Sequence, residues 1–363
     1  MPAYFDALIS ELRIAKSRKR RIDLHSVYFG GGTPSIVPVS LYSKLFDEIK
    51  EVFHISTDCE ISIEVNPSTL SQDYLDAFKR LGFNRISLGV QSTNDIDLLR
   101  LDRTHTTWDV LESIEIIRKA GLDNLNLDLI FGLPWQSLKS WEETLSRALD
   151  LYPEHFSIYS LIIEPGTPLC SWYQRGLISQ QDQDLEADMY EMTIEMLAQS
   201  GYEQYEISNW AKLDPVKDYR CRHNLQYWLG YPYLGVGAGA HGFAAGYRTV
   251  NTPSIHDYIL RCGEVEQIEK PFPAAPAQTR FEKIDLQTQM MDFMMVGLRL
   301  TKEGVSEERF SEIFAGSMRE IFHNEINTLV QQGLIAWSGG HKGRLRLTKR
   351  GIMVANQVFM TFV

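Results

Sequence analysis

Residues 26–34 read Ser26-Val27-Tyr28-Phe29-Gly30-Gly31-Gly32-Thr33-Pro34, an apolar and aromatic run followed by three glycines and a proline. The run predicts a β-strand over 26–30, because β-branched and aromatic residues favour strands. The glycines predict a loop where the backbone can approach a ligand closely, since no Cβ intervenes. The loop lacks the Gly-Lys-Ser/Thr ending of a phosphate loop. An amino-acid-like ligand, with its ammonium and carboxylate, would suit such an edge.

The first 210 residues alternate strand-like and helix-like segments. Strand candidates follow at 60–65, 85–90, 124–130, 155–161 and 202–207, with helical spacing of apolar residues between them. This alternation is typical of a parallel sheet with crossover helices, either an open doubly wound sheet or a (β/α) barrel. The chain opens with a predicted helix at 3–20, whereas a (β/α) unit should open with a strand. We therefore expect a partial barrel without its first strand.

Polar residues stand at or near the carboxyl ends of several predicted strands. Glu64, Gln91 and Asp128 are examples. In a barrel these ends converge on one face, where active sites are normally found. Glycine and proline punctuate any loop, but strands rarely place carboxylates inward without a partner. The pattern therefore favours a shared polar site.

Composition excludes several classes of function. The 363 residues are 44% hydrophobic and 23% charged, with a net charge of −11, which disfavours nucleic-acid and anionic-membrane binding. We expect no membrane span, because no apolar run approaches about 20 residues, and no signal peptide, because the start lacks a basic segment followed by an apolar one. The expected location is therefore the cytoplasm. Four scattered cysteines form no CxxC pair, so no zinc site, dithiol or disulfide framework is predicted. They are Cys59, Cys170, Cys221 and Cys262.

The remaining sequence predicts two more regions. After the barrel-like residues 1–210, residues 211–280 are rich in aromatics and glycine and end in a proline-rich linker at 269–278. Residues 281–363 predict a winged helix, with helices near 286–299, 305–314 and 317–332 and a hairpin at 334–337 and 345–347. The wing is basic, with Lys342, Arg344, Arg346, Lys349 and Arg350. DNA contact is disfavoured by the acidity of the whole chain.

The order of motifs resembles one family of radical S-adenosylmethionine (SAM) enzymes, that of oxygen-independent coproporphyrinogen III oxidase and the heme chaperone HemW. The likeness begins at Tyr28–Ser35 and covers nearly the whole chain. It continues through Glu64–Pro67, Leu88–Ser92, Arg103–His105, Asn126–Pro134, Glu164–Pro168, Tyr205–Asn209, Gly297–Leu300 and Gly304–Val305.

The resemblance implies a SAM site. Gly31, Gly32 and Thr33 would hold the methionine end of SAM, and Arg103 would pair with its carboxylate, which suits a guanidinium fork. Ribose hydroxyls or the ammonium group would be bound by Glu64, Gln91 and Asp128. Read without the family, Arg103 could equally be a solvated surface cation, and Asp128 could cap a helix.

The segment His223-Asn224-Leu225-Gln226-Tyr227-Trp228 resembles the HNxxYW element of the chaperone branch, where the histidine is implicated in heme binding. Imidazole is a common axial ligand, and aromatic side chains can flank a macrocycle. The alternative is a histidine hydrogen-bonded inside a domain junction. The resemblance thus implies a heme chaperone that passes heme to an acceptor protein, and the alternative is a coproporphyrinogen III decarboxylase.

The given sequence differs from the family pattern at the ligands of the family's [4Fe–4S] cluster. Its ligands are a CxxxCxxC loop after the first barrel strand, and the sequence given starts at the following helix. The four cysteines cannot replace that loop, because their spacing is far too wide. We therefore expect an N-terminal truncation, from a misassigned start or in a degenerate member that binds without radical catalysis, and no cluster on this chain as given.

Overall fold

The computed structural model describes residues 1–13, 15, 21–179, 182–263, 272–340 and 343–363. Its contacts divide the chain into two compact units. Unit 1 comprises residues 1–28, 37–61 and 221–363, and unit 2 comprises residues 29–36 and 62–220. Strand β2 (His54–Val65) contributes residues to both.

A seven-stranded sheet carries the strands that the sequence predicts. Its order is β1-β2-β3-β4-β5-β7-β6, and β2 to β5 pair in parallel, whereas β6 and β7 are antiparallel. This is the partial (β/α) barrel expected from the sequence. Besides β2, its strands are β1 (Asp23–Phe29), β3 (Arg85–Gln91), β4 (Leu125–Phe131), β5 (His155–Ser160), β6 (Tyr202–Glu206) and β7 (Asn209–Lys212).

Crossover helices connect these strands in unit 2. They are α3 (Gln72–Leu81), α4 (Asp95–Arg100), α5 (Thr107–Lys119), α6 (Leu138–Leu149), α7 (Pro168–Gln174) and α8 (Gln183–Gln199). Local sequence sets their ends: the Ser71 side chain caps α3, and Gly82 ends it with φ +107°, a conformation that favours glycine. The helices bury large side chains such as Phe78 and Trp141, which form the core of the unit.

The register of the parallel strands aligns polar side chains across one face of the sheet. Glu64 pairs with Ser87, Ser87 with Asn126, and Asn126 with His155. Side chains alternate between the two faces of a strand, and residues in register on neighbouring strands point to the same face. These polar side chains therefore share one face of the sheet. This face holds the first candidate site.

Unit 1 contains the N-terminal helices α1 (Pro2–Leu12) and α2 (Val39–Val52) and a small antiparallel sheet. Its further elements before the C-terminal region are α9 (Arg222–Trp228), β8 (His241–Ala244), β9 (Tyr247–Asn251), α10 (Ile255–Gly263) and β10 (Gln278–Lys283). The predicted opening helix extended to residue 20. The structure ends α1 at Leu12, and residues 14 and 16–20 lie outside the described part.

A buried carboxylate fixes α1 within unit 1. Glu11 accepts hydrogen bonds from the Gly237 amide at 2.9 Å, from Asn251 Nδ2 at 2.7 Å and from the Tyr258 hydroxyl. Burial raises the pKa of Glu11, and these three donors oppose that rise. They stabilise a carboxylate that would otherwise be costly to bury.

The C-terminal residues form the winged-helix-like region that the sequence predicts, with β11-β13-β12 as its sheet. Lys342 of the predicted wing and residues 269–271 of the predicted linker lie outside the described part. Among the described helices, none has the length and apolarity needed to cross a bilayer. The elements are α11 (Leu286–Gly297), β11 (Val305–Ser306), α12 (Glu307–Phe314), α13 (Met318–Ile321), α14 (His323–Gln331), β12 (Ile335–Ser338), β13 (Arg344–Leu347), α15 (Lys349–Met353) and α16 (Ala355–Met360).

Candidate functional site

The glycine loop after β1 folds back toward the end of β2. Gly31 and Gly32 have φ of +82° and +44°, values that residues with a Cβ rarely adopt. The Gly31 amide donates a hydrogen bond to Glu64 Oε2 at 3.1 Å. A Cβ built on either glycine would meet no atom within 4 Å, so this backbone borders open space. Thr33, whose carbonyl accepts from the Ile36 amide at 3.3 Å, closes the loop with a short turn.

Asp128 is held by two neighbours on the polar face. Ser87 Oγ donates to its carboxylate at 3.1 Å, and Asn126 Nδ2 donates to Asp128 Oδ1 at 2.7 Å. Burial raises the pKa of Asp128 to about 6, and the nearby charge of Glu64 adds to the rise. Two carboxylates at this strand edge could accept from hydroxyl or ammonium groups of a ligand.

A buried network orients Asn126, the main partner of Asp128. Asn126 Oδ1 contacts His155 Nδ1 at 2.6 Å and accepts from Ser157 Oγ at 3.1 Å. The second ring nitrogen of His155 contacts the Tyr205 hydroxyl at 2.9 Å. Burial lowers the pKa of His155 well below its usual value, which keeps the ring neutral. Because its amide is engaged at both ends, Asn126 presents its Nδ2 to Asp128 in a fixed orientation.

Gln91 and Arg103, two further predicted SAM contacts, have different surroundings. Gln91 ends β3 with φ +67°, an uncommon conformation for a residue with a side chain, beside a register shift between β3 and β4. Gly89 leaves room for it, because a Cβ there would lie 3.0 Å from Gln91 Nε2. Arg103 is exposed, and within the described residues no hydrogen bond or ion pair joins it to Glu64 or Asp128. The structure therefore brings together Gly31, Glu64 and Asp128.

The second candidate site, in unit 1, surrounds His223 on α9. His223 Nδ1 lies 3.2 Å from Ser26 Oγ of β1, and Nε2 lies 3.0 Å from the Tyr227 hydroxyl one turn along the helix. The Tyr28 ring stacks on the imidazole, with centroids 4.7 Å apart and planes 14° apart. Tyr227 meets the imidazole edge-on at 5.0 Å, and Tyr233 meets Tyr227 at 4.5 Å. His223 is thus hydrogen-bonded on both ring nitrogens, within an aromatic cluster.

Glu60 of β2 fixes the start of α9. Its buried carboxylate accepts from the backbone amides of Arg222 at 3.1 Å and His223 at 3.0 Å. The residue at the N-cap position, Cys221, makes no side-chain capping bond, so Glu60 caps the helix from a distant strand. Arg222 donates to Asp58 of the same strand at 2.9 Å. These contacts determine where the imidazole of His223 lies.

The electrostatic environment sets the protonation state of this cluster. Burial lowers the pKa of His223 to about 4, against a smaller opposing effect of Glu60, so the imidazole is neutral near pH 7. Burial also raises the pKa of Tyr227 to about 12, so its hydroxyl keeps its proton. A phenol is a stronger donor than a serine hydroxyl. We therefore infer that the Tyr227 O–H donates to His223 Nε2 and that His223 Nδ1–H donates to Ser26 Oγ.

Several of these residues were not identified from the sequence. Ser26, Tyr28 and Glu60 are far from His223 along the chain, and no local motif links them. Ser87 and Asn126 do carry a signal, because they stand two positions apart from other polar residues in apolar strands. That alternation would have placed them on the same face as Asp128.

The described residues do not fit an iron–sulfur cluster. No group of three or more His, Cys, Asp or Glu side chains in the described ranges is arranged to hold a metal ion. None of the four cysteines forms a disulfide within the described ranges, and Cys59, Cys221 and Cys262 are buried. Burial raises the pKa of Cys59 to about 11, which disfavours the thiolate that ligation requires.

Two family models match the chain. Residues 3–148 match the radical SAM superfamily, and residues 284–354 match the HemN C-terminal domain. These ranges include the glycine loop and Asp128 in the first case and most of the winged-helix-like region in the second.

Comparison with individual proteins finds similarity along almost the whole chain. The heme chaperone HemW of Bacillus subtilis is 37% identical over 99% of this chain and 91% of its own length. HemW of Lactococcus lactis is 33% identical over 99% of this chain and 89% of its own. The solved coproporphyrinogen III oxidase HemN of Escherichia coli, described as a radical SAM enzyme, superposes with a TM-score of 0.79 at 24% identity. It covers 99% of this chain and 82% of that one, and the likeness shows a shared fold.

Proposed function

Because the chain belongs to the family of the heme chaperone HemW, we propose that it binds heme through His223 and passes it to an acceptor protein. The observation that carries this proposal is the position of His223 within a cluster of tyrosines, where burial lowers its pKa to about 4 and so favours the neutral imidazole. A neutral imidazole nitrogen is the form that binds iron, and aromatic rings provide apolar surface for a macrocycle.

We assign Nε2 as the iron-binding nitrogen. In the proton arrangement above, Nδ1 carries the proton and Nε2 carries the lone pair, which accepts from the Tyr227 hydroxyl. Iron would displace only the Tyr227 hydroxyl, while the bond from Nδ1–H to Ser26 would persist. A second bond of this kind is what usually orients a metal-bound histidine.

Heme titration of the full chain tests the proposal. The wild type should develop a Soret band, His223→Ala should weaken it strongly, and His256→Ala should not. His256 is the matched control, since its exposed side chain lies in the same unit and would report non-specific heme–histidine contact. Equal Soret changes in wild type and His223→Ala would refute the proposal. Conversion of coproporphyrinogen III to protoporphyrinogen IX would favour the decarboxylase instead.

We further propose that unit 2 binds SAM at the strand edge formed by Gly31, Gly32, Glu64 and Asp128. Two observations support a fit: the open, Cβ-free backbone of the loop and the two carboxylates that can accept from hydroxyl or ammonium groups. When bound, SAM supplies an adenosyl group on a sulfonium. Thr33, Gln91 and Arg103 remain predicted contacts.

Calorimetry with SAM tests this second site. Glu64→Gln and Asp128→Asn should each weaken SAM binding by about tenfold, the usual effect of losing one charge-assisted hydrogen bond. Glu115→Gln is the control, because Glu115 is exposed on α5 and its ion pair among the described residues is with Lys119. Unchanged affinity in both site variants would contradict this placement.

The domain boundaries at 210 and 280 and the cytoplasmic location stay predictions. The acceptor protein is likewise part of the proposal. For transfer to be favourable, the acceptor must bind heme more tightly than this chain does.

A further inference from the structure

A cavity of about 230 Å³ lies within unit 1, between α9 and the winged-helix-like region. Its apolar wall includes Trp228, Phe293, Leu300 and Val305. Trp228 is the last residue of the helix that carries His223. The volume is below the roughly 300 Å³ at which drug-sized ligand sites begin, so it suits one small group or the edge of a larger molecule.

Two arginines border this cavity, and neither has a carboxylate partner within the described residues. The Arg309 guanidinium is half-buried and stacks 4.2 Å from the Tyr231 ring centroid and 5.6 Å from that of Phe293. The Arg344 guanidinium makes one hydrogen bond to the residues that the structure describes, a long one of 3.4 Å to the Glu303 carbonyl. The two guanidinium groups lie close enough that Arg344 helps to lower the pKa of Arg309, which burial lowers most. Two like charges held together in this way favour an anion between them.

Acidic residues are also present, but they do not neutralise the pair directly. Glu308 and Glu312 border the cavity and are exposed. Glu312 acts on Arg309 through its charge, without an ion pair at contact distance among the described residues. Solvent screens these exposed charges, as it does the charge of the exposed Arg344, so the half-buried Arg309 is the least screened of the four.

We propose that this cavity binds the carboxylate of an organic anion, with Arg309 and Arg344 on the carboxylate and the apolar wall on its hydrocarbon part. Arginine suits this role, because its planar fork matches a carboxylate and its stacking on rings fixes its orientation. The carboxylate has two sources. One is a free aromatic acid, and the other is a side chain of a tetrapyrrole held at His223. Only the second source rests on the proposed function.

Calorimetry on the full chain separates these sources. The probes are 1-naphthoate, the uncharged 1-naphthalenemethanol, heme and heme dimethyl ester, in which both carboxylates are blocked. The variants are Arg309→Gln, Arg344→Gln and the control Arg346→Gln. Arg346 is exposed on the same strand as Arg344 but does not border the cavity. Arg309→Lys keeps the charge without the fork, and thermal unfolding checks that each variant folds.

Naphthoate binding that weakens by about tenfold in Arg309→Gln and Arg344→Gln, but not in Arg346→Gln, supports a free acid. Heme that binds about tenfold more tightly than its ester, with the difference lost in Arg309→Gln, supports the tetrapyrrole. The proposal is overturned if naphthoate and naphthalenemethanol bind alike and heme and its ester bind alike. If heme does not bind at all, the function proposed above fails, while the naphthoate comparison still decides this cavity.

Discussion

Replacing Tyr227 by phenylalanine should tighten heme binding rather than weaken it. The Tyr227 hydroxyl occupies His223 Nε2 at 3.0 Å, and iron must displace it to reach the lone pair. Phenylalanine removes this competing hydrogen bond. It keeps the ring that contacts His223 at 5.0 Å and Tyr233 at 4.5 Å, so the packing of the cluster is retained.

The size of the effect follows from one hydrogen bond. A typical intramolecular hydrogen bond contributes about 1 kcal/mol net, which corresponds to about a fivefold decrease in the heme dissociation constant. In the absence of heme, Tyr227→Phe should lower the free energy of unfolding by a similar amount, because the same hydrogen bond stabilises the heme-free protein. Ser26→Ala should act in the opposite direction on heme, with affinity about fivefold lower, since the bond to Nδ1 orients the bound imidazole.

The assay is a Soret titration of the wild type, Tyr227→Phe, Ser26→Ala and the double variant His223→Ala/Tyr227→Phe. The gain from phenylalanine should vanish when His223 is absent. If Ser26→Ala tightens binding and Tyr227→Phe weakens it, Nδ1 is the ligand nitrogen and our assignment is wrong. If neither substitution changes the affinity, the iron does not use this imidazole.

Three further outcomes are expected. Because the pKa of His223 is about 4, heme affinity should change by less than about twofold between pH 7 and pH 5. A histidine of ordinary pKa would instead be mostly protonated at pH 5. Spectroscopic titration with heme at several pH values measures the difference. Glu60→Ala removes the cap of α9 and should lower the free energy of unfolding by about 1–2 kcal/mol, with little change for the exposed Asp58→Ala, as denaturant titration would show. Burial raises the pKa of Asp128 to about 6, so between about pH 4 and pH 6 the native state binds a proton that the unfolded chain has lost. The free energy of unfolding should therefore fall as pH rises through that range, and Asp128→Asn should flatten this fall. An unchanged slope would contradict the raised pKa.

The sheet could be predicted from the sequence because its strands are short apolar runs with clear punctuation. The predicted strand 85–90 is observed as Arg85–Gln91, and 155–161 as His155–Ser160. The small sheet of β8 to β10 could not be predicted, since its strands have four to six residues and carry polar residues and glycine. Pairing with neighbours, rather than local propensity, makes them strands.

The candidate sites show a similar division. Glu64 could be connected with the glycine loop because Glu64 lies at the carboxyl end of one predicted strand and the loop follows another, and barrel geometry brings such ends together. The partners of His223 could not be predicted. Ser26 is 197 residues away, and Glu60 contacts the start of α9 only in the folded chain. The exposure of Arg103 could not be predicted from the sequence either, because a cation on a loop can point toward a ligand or toward solvent.

The cap that Glu60 provides has a consequence for the order of assembly. Residues 163 positions apart meet there, and closing such a long loop costs entropy that local contacts do not repay. A seven-residue helix is too short to persist alone, so α9 should become ordered only after β1 and β2 have formed. A nascent chain would then acquire its imidazole site late in folding. Heme ligation at His223 would therefore report that the amino-terminal strands are already in place.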